Sequence, residues 1–221
     1  MVEMDFIKWL GHASFILENN GKNIYIDPYK LKKPVKKADA IFITHPHFDH
    51  LSIDDIKLIA TEKTKFFVPK DSASKLPYQN VISVEPNENY DAGEVGIKIA
   101  TIPAYNIIKE RLKMHPKANR WVGYILEDNN GKRIYHAGDT DEVPEMKNIR
   151  VDLALLPMGG TYTMTTDEMI QASRKIKAKN IAPIHYKMLL GEEGSAEAEK
   201  KFLKEVKNGI IIDEENSEFH F

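Results

Sequence analysis

The sequence contains no cysteine, which excludes disulfide bonds and thiolate metal sites. Any metal ion would therefore be bound by histidine, carboxylate or water ligands. No apolar run approaches the roughly 20 residues that a membrane-spanning helix requires. The N-terminal segment also lacks the basic-then-apolar pattern of a secretion signal. These absences favour a cytoplasmic protein and predict no membrane partner.

The chain also lacks an excess of charge of either sign. Lys and Arg together number 31 and Asp and Glu number 33, which gives a formal net charge of -2. Proteins that bind nucleic acid generally show a basic excess, so we expect no nucleic-acid partner. The 221 residues, 42% of them hydrophobic, suffice for one sizeable core. No linker rich in Pro, Gly or Ser interrupts them, which predicts a single domain over residues 1–221.

Two parts of the sequence repeat each other. The stretch ILENNGKNIYIDPY from Ile16 resembles ILEDNNGKRIYHAGDT from Ile125, apart from one inserted residue. The stretch from Ala38 aligns without gaps with that from Val151, at a shift of 113 residues. The matches occur in the same order at a nearly constant offset. This pattern indicates a duplicated chain of two related halves.

Local patterns predict the elements of each half. Apolar runs bounded by turn residues predict β-strands, and the segment Asn19-Asn20-Gly21 favours a hairpin because Asn and Gly accept positive φ. Helices are predicted to follow the capping residues Ser52 and Thr165, with a last helix over 195–207. The predicted strands include residues 6–10, 14–18, 23–27, 40–44, 66–68, 81–84, 95–102 and 210–212. Two sheets packed face to face, with helices on both outer faces, would bury these elements.

The densest chemical signal is His45-Pro46-His47-Phe48-Asp49-His50, directly after a predicted buried strand. Four of these six side chains are of types that bind zinc and related divalent ions. Alternate residues of an extended segment point the same way, so His45 and His47 can hold one ion. Asp49 and His50 can then serve an adjacent ion. So many ligand types in so short a segment favour a metal site over unconnected surface histidines.

Asp139 and His185 also follow predicted strands and are further ligand candidates. A carboxylate at Asp139 could bridge two ions, and Gly138 would let the backbone approach them closely. Considered alone, Asp139 also fits a turn and His185 a buried core histidine. They are ligand candidates because they follow the ends of strands, as the histidine cluster does.

The order H-x-H-x-D-H, then AGDTD, then a late histidine in PIHY resembles the metallo-β-lactamase superfamily. The resemblance covers nearly the whole chain. The segments WLGHASF and YIDPY are similar to a branch that contains N-acyl-phosphatidylethanolamine phospholipase D, ascorbate-phosphate lactonase and many uncharacterised metal-dependent hydrolases. The resemblance implies an α/β fold, a four-layer αββα sandwich of two related halves. It also implies one or two Zn²⁺ ions, with Mn²⁺ or Fe²⁺ as alternatives.

The resemblance assigns roles to residues of this chain. The implied ligands are His45 and His47 for a first ion, Asp49, His50 and His185 for a second, and Asp139 as the bridge between them. Asp27 would support the site by hydrogen bonding. His12 would lie beside the site, with a buried core histidine as the alternative.

One expected ligand of the first ion is missing. Asn106 stands about where a third histidine is expected, and asparagine is a poor zinc ligand. His115, nine residues later, could replace it or lie in a solvated loop. The loop 158–164 of the second half should face the histidine cluster. Its backbone N–H groups or Tyr162 could stabilise an oxyanion, or the loop could be a tight structural turn.

The expected function is hydrolysis of a small-molecule phosphodiester, ester or lactone by a metal-activated water, with Asp49 orienting the nucleophile. Basic residues in the stretches 30–37 and 109–120 could attract a phosphorylated substrate or merely be solvated. The alternatives are a nuclease or RNA-processing hydrolase and a non-catalytic metal-binding scaffold. The sequence leaves the oligomeric state open.

Overall fold

Two mixed β-sheets packed face to face form the centre of the structure, a computed structural model that describes residues 4–213 and 218–220. The strands are β1 Met4–Gly11, β2 Ser14–Asn19, β3 Lys22–Ile26, β4 Ala40–Phe42, β5 Lys65–Pro69, β6 Val81–Val84, β7 Asn89–Ala92, β8 Ile97–Pro103, β9 Val122–Asp128, β10 Arg133–His136, β11 Arg150–Pro157, β12 Lys177–Ile184 and β13 Glu218–Phe219. The helices are α1 Ile53–Ile59, α2 Lys70–Ala73, α3 Thr166–Ser173 and α4 Lys187–Glu205, the last of which is broken at Gly191.

The strand order is β13-β1-β2-β3-β4-β5-β6 in the first sheet and β12-β11-β10-β9-β8-β7 in the second. Side chains of β4 alternate between two cores, as a strand buried on both faces requires. Phe42 packs between the sheets, whereas Ile41 joins Ile56 and Ile59 of α1 on the outer face. Helix α3 packs against β11 and α4. The expected αββα sandwich is confirmed.

The two halves repeat each other down to single hydrogen bonds. In each half an antiparallel hairpin, β2–β3 or β9–β10, continues into two parallel strands. The Asn23 backbone N–H donates to Asp39 Oδ2 at 2.9 Å, and the Arg133 backbone N–H donates to Asp152 Oδ2 at 2.8 Å. The predicted duplication therefore describes the architecture well.

The structure corrects the predicted C-terminal elements. Residues 210–212 form no strand, because this segment pairs with β12 only through the Ile210 N–H and an isolated bridge at Gly209. The last strand of the described chain is instead β13, which pairs with β1. The last helix begins at Lys187 rather than at residue 195.

Strand β7 was not predicted either. Its sequence, Asn-Tyr-Asp-Ala, lacks an apolar pattern because it lies at the edge of its sheet and is largely exposed. Among the helices of the described residues, none combines the length and apolar composition needed to cross a membrane.

Candidate metal centre

The predicted ligands lie together at one end of the sandwich, where the chain leaves the parallel strands. Strands β3 and β4 of the first sheet run parallel, as do β10, β11 and β12 of the second. The carboxyl ends of parallel strands meet at one edge of a sheet, so residues that follow them become neighbours. The residues brought together in this way are Asp27, His45, His47, Asp49, His50, Asp139 and His185, and His12 joins them from the turn between the antiparallel strands β1 and β2.

A first group of ligand atoms comes from His45, His47 and His115, whose ring nitrogens lie within 4.8 Å of one another. His45 Nε2 and His47 Nδ1 are 3.1 Å apart. This is close to the edge of roughly 3.3 Å expected for a tetrahedral site with Zn–N bonds of about 2.0–2.1 Å. His115 thus occupies the third position of this group, and Asn106 does not.

A second group is formed by His12, Asp49, His50 and His185, whose ligand-type atoms also lie within 4.8 Å of one another. His185 Nε2 is 3.5 Å from Asp49 Oδ2. His12 Nε2 is 2.9 Å from the same oxygen and so hydrogen bonds to the carboxylate. His12 is buried at the site, which is where the sequence placed it.

The Asp139 carboxylate lies between the two groups. Its Oδ1 is 3.3 Å from His50 Nε2, and its Oδ2 is 3.3 Å from His115 Nε2 and from His185 Nε2. Asp139 follows Gly138, whose φ is +65°. A Cβ at Gly138 would lie 3.0 Å from the Thr44 Cβ, so glycine favours the close approach of this loop to the segment that follows β4. The position suits a carboxylate that contacts two ions.

Asp27 and Thr44 determine which nitrogen of the neighbouring histidines faces the site. Asp27 accepts from the Thr44 N–H at 2.8 Å and lies 2.7 Å from His50 Nδ1. Thr44 Oγ1 donates to Asp27 and can therefore only accept from His45 Nδ1, at 3.0 Å. Both Nδ1 atoms must then carry a proton, so in the neutral imidazoles that bind metal each Nε2 lone pair is directed into the site.

Asn106 orients the imidazole ring of His115 in the same way. Its Nδ2 donates to Asp141 Oδ1 and to the Tyr162 carbonyl, at 3.1 Å each. These two acceptors fix the orientation of the amide, so its Oδ1 must face His115 Nδ1, at 2.9 Å. His115 therefore donates through Nδ1 and presents its Nε2 lone pair to the site. The asparagine in the expected ligand position orients the histidine that replaces it.

Asp141 and Arg111 hold the loop that carries Asn106 and His115. Asp141 Oδ2 accepts from the N–H groups of Ile107 and Ile108, at 2.7 and 2.9 Å. Arg111 is buried and its Nη2 lies 2.7 Å from Asp141 Oδ1. The sequence left Arg111, with the other basic residues of the stretch 109–120, either to attract a phosphorylated substrate or to be solvated, but the structure places it in this buried ion pair.

Three residues of the site adopt left-handed backbone conformations. His12, Asp27 and His185 have φ values of 53°, 45° and 55°. Such residues cost about 1–3 kcal/mol each and concentrate at functional sites, where surrounding contacts hold them in place. The His185 N–H donates to the His12 carbonyl at 2.9 Å, which couples two of the three.

The glycines of the facing loop 158–164 serve packing. A Cβ at Gly159 would lie 2.4 Å from the His185 carbonyl oxygen, so glycine is required there. The Gly160 N–H already donates to the Met164 carbonyl at 3.0 Å and is therefore occupied in a turn. Tyr162 from the same loop faces the site and is 39% exposed.

Burial and mutual charge shift the ionisation of the site in opposite directions. Burial lowers the pKa of His45 well below its usual range, with further lowering by His50. Burial would also lower the pKa of His50, but the carboxylates of Asp139 and Asp27 raise it well above its usual value. Burial would raise the pKa of Asp139, but His185 and His50 hold it well below its usual range. The carboxylate is therefore ionised, as a metal ligand must be.

Several atoms of the site have no hydrogen-bond partner although they are fully buried. They include Nε2 of His50, His115 and His185, and Oδ1 of Asp139. A buried polar atom without a partner costs about 1–3 kcal/mol, so such atoms rarely cluster without a reason. Cations bound at the two groups of ligands would satisfy all four. The nitrogen and carboxylate donor set therefore fits a divalent metal ion.

The site opens into a pocket of about 400 Å³. The pocket is lined by His12, Tyr29, His47, Phe48, Asp49, Met114, His115, Asp139, Tyr162, His185, Met188 and Leu189. The Asp49 side chain is 18% exposed and so reaches this space, whereas that of His45 is 2% exposed. The pocket therefore gives a small molecule access to both groups of ligands.

Trp121 is a site residue that the sequence did not reveal. Its ring centroid lies 5.0 Å from those of His45 and His47, and its Nε1 donates to Asp71 Oδ2 at 2.7 Å. Nothing in the local sequence pairs Trp121 with residues so far away along the chain. Asp141 was also missed, although it stands in the AGDTD segment that was singled out.

Comparisons with known proteins identify relatives of this chain in sequence and in fold. Residues 6–185 match the family described as beta-lactamase superfamily domain. The UPF0173 metal-dependent hydrolase of Thermococcus onnurineus is 32% identical over 219 residues, which cover 93% of this chain and 95% of that protein. A crystal structure from Parabacteroides distasonis has a TM-score of 0.82 at 31% identity, over 96% of this chain and 98% of that one. Igni18, a metallo hydrolase from Ignicoccus hospitalis, has a TM-score of 0.77 at 24% identity, over 99% of each chain, and is similar in fold.

Proposed function

Because the chain belongs to the metallo-β-lactamase superfamily, we propose that it is a hydrolase that acts on a small-molecule ester, lactone or phosphodiester with one or two bound divalent ions. Zinc is the first expectation for this set of imidazole and carboxylate ligands, and Mn²⁺ or Fe²⁺ would also fit. The observation that carries the proposal is the position of the Asp139 carboxylate, 3.3 Å from nitrogens of His50, His115 and His185.

The proposed ligands follow the two groups of atoms. His45, His47 and His115 would hold one ion, and Asp49, His50 and His185 the other, with Asp139 contacting both. Bound ions of this kind lower the pKa of a water and polarise the bond that is attacked. The chain's own residues would orient that water and the substrate.

Asp49 is the residue best placed to orient the water and accept its proton. One of its oxygens is held by His12 at 2.9 Å, and its side chain reaches the pocket. His12 would therefore be a positioning residue, because it acts through its hydrogen bond to Asp49. Tyr162 lines the same pocket and would donate a hydrogen bond to the negative charge that develops on the substrate.

The alternatives are less well supported. A non-catalytic metal-binding scaffold would have no use for the open pocket that gives a small molecule access to the ligands. A nuclease would be expected to show basic residues along the site, but none of the described residues that line the pocket is Lys or Arg.

The test uses the protein purified with zinc or manganese. Hydrolysis of bis-p-nitrophenyl phosphate, a p-nitrophenyl ester and a lactone is compared between the wild type, His47→Ala and the control His220→Ala. His220 is exposed at the end of the chain, away from the site. We expect His47→Ala to lose metal by elemental analysis and to lose at least about a hundredfold in rate, with the control unchanged. Equal rates in all three proteins would refute the enzyme proposal, and unchanged metal content in His47→Ala would refute the ligand assignment.

A further inference from the structure

We propose that the substrate of this hydrolase carries an uncharged, apolar group, such as an acyl chain or an aromatic ring, next to the bond that is cleaved. This inference rests on the proposed function and narrows it to neutral esters or lactones. It is carried by the side chains that surround the ligands in the pocket.

Beyond the ligands, the pocket is almost entirely apolar. Tyr29, Phe48, Met114, Met188 and Leu189 line it together with Tyr162. The volume of about 400 Å³ is in the range of small-molecule sites, which are mostly hydrophobic with a few polar groups that fix orientation. Here those polar groups are the proposed ligands, at one side of an apolar space.

The apolar residues at the pocket are also unusually exposed. Phe48 is 74% exposed and Met188 is 54% exposed. Of the eight large hydrophobic residues that are strongly exposed in the described chain, four line this one pocket, namely Phe48, Met114, Tyr162 and Met188. Exposed apolar surface gathered at one site marks a place where apolar material binds.

Two methionines from separate segments of the chain contribute to this apolar surface. Met114 directly precedes the ligand His115, and Met188 lies in the first turn of α4, three residues after the ligand His185. Methionine is flexible and polarisable and adapts to apolar groups of different shape. Their place next to two ligands puts the apolar surface beside the bond to be cleaved.

The charges of the pocket do not suit an anionic substrate. Apart from the ions it would bind, its ionisable groups are carboxylates, histidines and two tyrosines, and the described lining residues include no Lys or Arg. Phosphate groups in proteins are commonly held by such cations. Three of the five basic residues of the loop 109–120 are engaged elsewhere, since Arg111 pairs with Asp141 and Glu168, Lys117 with Glu145, and Arg120 with Glu85.

Lys30 is a basic residue next to the lining residue Tyr29, and its influence on the substrate requires a direct test. Its Nζ lies 5.2 Å from the centroid of the Tyr29 ring, but Lys30 does not line the pocket. If the substrate were phosphorylated, this cation would be expected to attract it. If the substrate is neutral, removing the charge should have no effect.

The first experiment measures kcat/KM of the zinc-loaded protein for p-nitrophenyl acetate, butyrate, hexanoate and octanoate, beside bis-p-nitrophenyl phosphate. We expect an increase of about two- to fourfold for each added methylene until the pocket is filled. Met188→Gln should reduce this increase per methylene. Leu203→Gln is the matched control, because Leu203 is 48% exposed but lies outside the pocket, and it should keep the wild-type increase. Lys30→Ala should behave as the wild type.

The second experiment measures binding by calorimetry, with alkyl hydroxamates of increasing chain length as metal-directed probes. Affinity should rise with chain length in the wild type and rise less in Met188→Gln. Rates and affinities that do not depend on chain length would overturn the inference. So would preferred hydrolysis of the phosphodiester with a loss in Lys30→Ala, which would indicate an anionic substrate. Chain-length-dependent binding without any hydrolysis would instead contradict the proposed function and leave the apolar site standing.

Discussion

The two halves of the molecule have the same scaffold but unequal chemistry. The N–H of Asp27 donates to the Phe42 carbonyl at 2.9 Å, and the N–H of Ala137, at the matching place, donates to the Leu155 carbonyl at 3.0 Å. The backbones of these two positions are alike, but their side chains differ. Asp27 orients a histidine, whereas Ala137 has no functional side chain.

The loops that follow the matching strands β4 and β11 differ most. The first carries four of the proposed ligands, and the second carries none. In the gap-free alignment of the repeats Asp49 corresponds to Tyr162, and both line the pocket. The second half supplies Asp139 and His185 from the ends of β10 and β12. A duplicated fold thus provides two equivalent loop ends, and the metal site lies between them because each half contributes different side chains.

The largest expected effect comes from changing Asp27, a position at which the side chains of the two halves differ. In Asp27→Asn the amide must place an N–H against the His50 Nδ1–H or against the Thr44 N–H, since both now donate to the carboxylate. Loss of such an orienting partner commonly lowers metal affinity by about 10- to 100-fold. We expect a loss of this size in competition with a chelator.

The control for this prediction is Asp152→Asn, which removes a carboxylate of the repeated scaffold away from the site. Asp152 accepts from the Arg133 N–H and pairs with Lys179. Its metal affinity should remain that of the wild type. A similar loss in both variants would mean that Asp27 acts through general stability and not through His50.

A somewhat smaller effect is expected at Asn106. Asn106→Leu removes the oxygen that accepts from His115 Nδ1, so the imidazole is free to take the other tautomer and turn its protonated nitrogen toward the site. We expect about a tenfold loss of affinity for one ion, the one assigned to His45, His47 and His115. Titration with zinc should show that one of the two ions binds more weakly than the other.

The measurement also checks the division of the site into two groups of ligands. An equal loss for both ions would contradict it. Asn80→Leu, at an exposed asparagine that donates to the Glu62 carbonyl, provides the control and should bind both ions as the wild type does.

Much of this organisation could be predicted from the sequence because it depends on short segments. The cluster 45–50, the AGDTD segment and the offset of 113 residues are all visible in one reading of the chain. Together they predicted two related halves and identified residues that the structure brings to one place. The caps at Ser52 and Thr165 were predicted for the same reason, since a cap depends on residues three positions apart.

The remainder depends on contacts between distant segments. The sequence left Asn106 and His115 as alternatives, and only the fold shows that the first orients the second. The indole of Trp121 hydrogen bonds to Asp71, a residue 50 positions away, which no local pattern encodes. The edge strand β7 forms because β8 offers it partners, in spite of its polar sequence.

The smallest effect concerns the two helix caps, which distinguish the shared scaffold from the unshared site. Ser52 Oγ accepts from the Asp55 N–H and Thr165 Oγ1 from the Glu168 N–H, at 3.3 Å each. Ser52→Ala and Thr165→Ala should each lower the free energy of unfolding by about 1 kcal/mol in the metal-free protein. Because Ser52 follows the ligand His50 by two residues, Ser52→Ala should also weaken metal binding, by at most about fivefold, whereas Thr165→Ala should not. Equal metal affinities in the two variants, together with equal losses of stability in urea, would mean that the α1 cap maintains the fold without positioning the ligands before it.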